Sequence, residues 1–230
     1  MKKIAIAVAA VTASALMTCG CSSKSSKSKN KDVPEKPTEW AVKQRSAEDI
    51  VPLEGETQAF IKRDEENDDI LILAQGILAD RIINNEYDAL DLIAEYSKEL
   101  GIVDAYSELK FSGTLTYSDM MSYKFDQYCN GVKVSGSGID LTVDMLEGNS
   151  PEVLSSTYSD LWGFETKPRV SSDEAVKCAK DKYKTSKETS PELLIIDGSR
   201  LAWRVPVNDE KIAEVYISAE NGDIISETAV

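Results

Sequence analysis

From Asp69 onward the apolar positions change period, and the same change occurs twice. Ala89, Leu92, Ile93, Tyr96 and Leu100 recur at three- and four-residue spacing, which predicts one helix with a single buried face. Asn84 or Asn85 caps its start, Glu86 and Asp88 suit its positive N-terminal end, and Gly101 suits the position just past its C-terminus. Before it, "ILILAQGILADRII" is apolar and interrupted only by Gly76, which predicts strands. After it the period falls to two. Met121, Tyr123 and Phe125 alternate with Lys124 and Asp126, and Ile139, Leu141 and Val143 alternate with Asp140, Thr142 and Asp144. Asn130-Gly131 between these runs is a two-residue hairpin signal. One face is apolar and one is wet, so the sheet is expected to be antiparallel.

The plan returns after Pro168. Ser171 and Glu174 form a capping box, and Ala175, Val176, Ala179 and Tyr183 give the following helix an inward face. "ELLIID" reads as a short buried strand, and Leu201, Trp203, Val205 and Val207 alternate along the next one. "AEVYISAENGDII" closes with a second Asn-Gly turn, Asn221-Gly222. The expected fold class is therefore α+β: two small units, each a helix packed on an antiparallel sheet.

The N-terminal 21 residues follow neither pattern. Lys2 and Lys3 precede an apolar run from Ile4 to Met17, too short to span a bilayer as a mature helix and shaped like a signal segment. It ends at Cys19 and Cys21, and "SSKSSKSKNK" after them reads as a flexible tether. This stretch resembles a bacterial lipoprotein signal. The resemblance implies a lipidated cysteine, Cys21 after the small Gly20 or, as the alternative, Cys19. The organisation is then a signal peptide over 1–21, a tether and polar linker over 22–68, and two folded domains over 69–166 and 167–230. The expected location is the outward face of a bacterial membrane, held there by the lipid.

Composition narrows the chemistry. The net charge is −14, which argues against a nucleic-acid partner, because phosphate binding needs a basic face. The chain has no histidine, which removes Ser-His-Asp and Cys-His catalysis and every His-ligated metal. "DEENDD" lacks the glycine and the spaced glutamate of a calcium loop and reads as a solvated loop. No catalytic residue, metal site or cofactor is expected. Cys129 and Cys178 are the other thiols, and export permits either a disulfide or two free, half-buried thiols.

Two stretches resemble known families. "YKFDQYCNGVKVSGSGIDLTVD" resembles the fungalysin/thermolysin propeptide motif, with Phe125, Gln127, Gly131, Val134 and Gly136 on its pattern. "SSDEAVKCAKDKY", "LLIIDGSRLAWRVPVN" and "EVYISAENGDIIS" resemble the PepSY domain, which follows that motif in thermolysin-like proenzymes. Leu201, Trp203, Arg204, Asn221 and Gly222 carry this second match. The resemblance departs from the propeptide pattern at Ser122, where a histidine is common, and at Lys133, where a proline is common. It implies cystatin-like units and a protein partner, an exported metallopeptidase that the module inhibits or helps to fold. A general envelope-binding scaffold is the alternative. The residues themselves read as mainly structural: Trp203 in the core, Arg204 outward and solvated or ion-paired, Gln127 half-buried and hydrogen-bonded, the Asn-Gly pairs as turns. "SETAV" at the end is expected to leave the last strand as a tail.

Overall fold

The structure is a computed structural model and describes residues 42–183 and 190–230, all within a compact unit that spans Pro34 to Val230. Among these residues, ten strands, four α-helices and a 3-10 turn at Ala47–Asp49 follow one another in an α+β arrangement. The chain runs β1 (Phe60–Arg63), β2 (Leu71–Gln75), α1 (Glu86–Glu95), α2 (Ser97–Leu100), α3 (Ala105–Glu108), β3 (Leu109–Tyr117), β4 (Met120–Cys129), β5 (Val132–Asp144) and β6 (Ser150–Ser156). It continues with α4 (Ser172–Lys182), β7 (Glu192–Ile196), β8 (Arg200–Pro206), β9 (Ile212–Ser218) and β10 (Ile224–Ala229).

Each half is antiparallel, in the orders β1-β2-β6-β5-β4-β3 and β7-β8-β9-β10. The halves are not separate sheets. β5 is long enough to carry β6 on one stretch of its edge and β7 on another. Lys133 pairs with Leu194 and Val134 with Ile195 in a short parallel ladder, so the ten strands form one sheet. Val134 and Ile195 are fully buried at this join.

The alternation read in β4 and β5 sorts the faces. Tyr123, Phe125, Ile139, Leu141 and Val143 meet Ala89, Leu92, Ile93 and Tyr96 in the larger core beneath α1. In the second half Ala175 and Ala179 of α4 pack on Val205, Val215 and Ile217. Small residues on α4 let the helix lie close to the strands. Ser171 and Glu174 form the capping box the spacing predicts.

Three local expectations are corrected. The helix from Asn85 does not run unbroken to Leu100. Asn85 caps it, but it breaks at Tyr96, and Gly101 ends the short second piece at φ +71°. The break has a partner. The Gln44 carboxamide donates to Ala94 O (3.1 Å) and accepts from Lys98 N (2.9 Å), and Arg45 N donates to Glu95 O (2.6 Å). The chain just before residue 46 thus replaces the helix's own hydrogen bonds.

That same contact overturns the linker expected over 22–68 for its described part. Ala47 and Ile50 are core residues, Val51 bridges to Ile77, and β1 pairs with β2. Polar composition concealed this, because the segment docks through backbone and amide groups rather than through an apolar stripe. The rest of the linker, the tether and the signal segment lie outside the described residues. Finally, "SETAV" is not a free tail. Ser226 to Ala229 pair with β9, and Val230 N donates to Lys211 O (3.0 Å).

Candidate functional site

The β4–β5 hairpin builds the middle of the molecule. Asn130 and Gly131 have φ of +48° and +83°, both left-handed, so the turn is the tight type that Asn-Gly favours. Asp126 pairs with Gly138 and Tyr128 with Lys133, so four β5 residues, 134 to 137, oppose the single Gln127. This bulge is where β5 passes from β6 to β7. Gly136 sits in it at φ +77° with open space around it. Gly138 is different: a Cβ there would stand 2.2 Å from Phe125 O, so only glycine lets β4 approach.

Gln127, opposite the bulge, is buried on the helix face of β4. Its carboxamide donates to Ser159 O (2.6 Å) and accepts from Ser159 N (2.9 Å). It is thereby a clamp between the hairpin and the segment that leads into the second half. Phe125 packs in the core with its ring edge-on to Phe111, centroids 5.7 Å apart.

A cleft of about 550 Å³ opens beside this clamp, lined by Val103, Glu108, Gln127, Tyr128, Tyr158 and Trp162 among others. The Tyr158 hydroxyl donates to the Glu108 carboxylate. Burial first, and that hydrogen bond second, push the Tyr158 ionisation far above its ordinary range. Lys110 Nζ stands 3.8 Å from the Tyr128 ring centroid, a cation–π contact. Cys129 lies in the same wall as a free thiol; burial, then the nearby Glu108 charge, raise its pKa, which makes it a sluggish nucleophile.

On the opposite face the join forms a polar groove of about 350 Å³. Three ion pairs cross it: Lys124–Asp140, Lys133–Asp126 and Arg204–Glu192. Arg204 also reaches Glu214 at 3.7 Å. Cations and carboxylates alternate here, so the groove presents no net positive surface to a phosphate.

The second half holds the remaining motif residues. Trp203 is half-buried against the α4 core, and its indole donates to Val170 O (2.8 Å). Leu201 is half-buried on the same phase of β8, and Arg204 lies on the other face. Asn221 and Gly222 lie in a five-residue loop from Ala219 to Asp223, not in the two-residue turn their pairing suggests. Gly222 alone takes the left-handed conformation, at φ +81°, and a Cβ on it would touch Cys178 Sγ at 3.5 Å. Cys178 is a free, half-buried thiol like Cys129, so the disulfide permitted between them is not formed. Cys19 and Cys21 lie outside the described residues.

The hairpin motif thus gathers at the join, whereas Trp203, Asn221 and Gly222 organise the α4 layer. The clamp's other half, Ser159, and the cleft residues Tyr158 and Trp162 carried no signal in the sequence, because they sit in an irregular segment with no period. No histidine is present to act as base, and among the described residues no three His, Cys, Asp or Glu are placed to hold a metal. What the arrangement offers is shape: an aromatic cleft on one face, a salt-bridged groove on the other, and free sheet edges. Among the described residues no helix is long and apolar enough to cross a membrane.

Comparison with known proteins agrees with part of this picture. No curated protein matches the chain significantly. Among solved structures, the Bacillus megaterium YpeB C-terminal domain is similar at 14% identity and a TM-score of 0.36, over 77% of this chain and 91% of that one. At that TM-score the likeness supports no argument about fold or function. The family described as "Peptidase propeptide and YPEB domain" matches residues 169–228, which run from the residues before α4 through most of β10. The second half of this sheet therefore matches the PepSY family over residues 169–228.

Proposed function

We propose that the chain is a non-catalytic module, tethered by lipid to the outer face of a bacterial membrane, that binds an exported metallopeptidase and inhibits it or assists its folding. The observation that supports this most is the PepSY domain at residues 169–228, whose family description includes peptidase propeptides. Residues 69–166 are read as the propeptide-like partner domain, on the motif carried by Phe125, Gln127, Gly131, Val134 and Gly136. The hairpin bearing that motif forms the join with the PepSY domain and walls the cleft. Cys21 is the proposed lipid site and Cys19 its alternative.

The experiment is in-cell crosslinking of the tagged, exported chain, followed by identification of captured proteins by mass spectrometry. A metallopeptidase among them, held in a ratio near one to one, is the expected result. Capture of wall-synthesis or transport proteins without any peptidase overturns the reading in favour of an envelope scaffold. Labelling with a fatty-acid analogue tests the anchor separately: the label is lost in Cys21→Ala and kept in Cys19→Ala.

A further inference from the structure

Among the described residues the sheet has three unpaired edges, and they are not alike. β1 is four residues long, carries Lys62 and Arg63 and is broken by a register shift. β10 has two register shifts, and its Glu227 is bonded to Lys182 of α4 and to Tyr183 just after it. Charges and irregularities of this kind protect a strand edge from pairing with another chain. β3 is nine residues long, pairs among the described residues only with β4, and has a single shift between Phe111 and Gly113. From Phe111 to Ser118 it carries no charge, in a protein of net charge −14. Leu115 is 60% exposed and Tyr117 82% exposed.

We propose that β3 pairs antiparallel with β3 of a second copy, across a two-fold axis at Leu115. The register carries the inference. Gly113, Leu115 and Tyr117 oppose Lys124, Ser122 and Met120, so they share the face away from the helices; Thr114 and Thr116 share the other. Centring two copies on Leu115 sets Leu115 against Leu115, Thr114 against Thr116 and Tyr117 against Gly113. Threonine pairs and an aromatic ring over a bare edge glycine are favourable cross-strand neighbours. The neutral stretch from Phe111 to Tyr117 is the place where two acidic chains approach with least repulsion. A pair of short strands buries less than the roughly 1,200 Å² of a stable interface, so the dimer is weak and concentration-dependent.

The test is sedimentation velocity on residues 34–230, the compact unit that holds both cores. Wild type should pass from monomer to dimer as concentration rises. Leu115→Lys places like charges face to face and should weaken the dimer about tenfold, as should Leu115→Glu. An equimolar mixture of the two variants should recover dimer, which also shows that both are folded. Wild type that stays monomeric at every concentration overturns the proposal. So does a dimer indifferent to both substitutions, or one that the mixture fails to restore.

Discussion

Replacing Gln127 with leucine would test the join between the two halves. The change keeps the volume and removes two hydrogen bonds, those to Ser159 O and from Ser159 N. Both backbone groups of Ser159 then lose their partner. An unsatisfied buried group costs about 1–3 kcal/mol, and Ser159 is only half-buried, so water restores part of the loss. The expected destabilisation is about 2 kcal/mol, which at a typical urea slope of about 2 kcal/mol/M lowers the midpoint by about 1 M. Gln127→Glu discriminates further. A carboxylate still accepts from Ser159 N but faces Ser159 O without a proton to donate. Burial raises that acid's pKa, so the variant is weakest at neutral pH and recovers as acidification protonates it. The chemical readout is alkylation of the thiols. Loosening the segment at Ser159 should speed the reaction of Cys129, which lines the same cleft, and leave Cys178 in the second half unchanged. A Gln127→Leu protein with the wild-type urea midpoint and wild-type Cys129 reactivity would refute the clamp.

Other expectations concern single positions. Gly138→Ala should cost about 3 kcal/mol or more, because the new Cβ meets Phe125 O, whereas Gly136→Ala, strained only by its φ, should cost about 1–2 kcal/mol; thermal melts compare them directly. Burial holds the Tyr96 phenol un-ionised, moving its pKa from 10.0 to about 12. A raised pKa contributes stability that is full below pH 10 and is lost as pH climbs toward 12, so melting temperature should fall over that window. Tyr96→Phe, which gives up the 2.8 Å bond to Leu78 O, should melt lower at neutral pH and fall less steeply above pH 10.

Much local chemistry was legible in the sequence, though not at Asn221-Gly222, whose two-residue turn signal ends up in a five-residue loop. The Asn130-Gly131 turn, the alternation of β4 and β5, the Asn85 cap and the Ser171–Glu174 box are each set by residues a few positions apart. What escaped was set at a distance. Gln44 docks on a helix carbonyl some fifty residues away and on Lys98 N, and nothing in a polar segment announces an amide that will replace helical bonds. β3 and β6 were missed because neither shows a clean alternation: β3 is exposed on both faces, and β6 mixes Ser, Pro and Glu with two apolar residues. The parallel link of β5 to β7 rests on two residue pairs and leaves no periodic trace, so two sheets were expected where one exists. The hairpin motif was visible, but the cleft beside it was not, since Tyr158 and Trp162 come from an irregular segment.

The most direct test of the functional reading is a titration. The metallopeptidase captured from cells is assayed on a peptide substrate against increasing residues 34–230, with Gln127→Leu as comparison. The account predicts a stoichiometric complex that changes the enzyme's activity or its refolding yield, and a measurably weaker complex for Gln127→Leu. Wild-type protein that is folded, yet neither binds the enzyme nor alters its activity or refolding at any ratio, would contradict it.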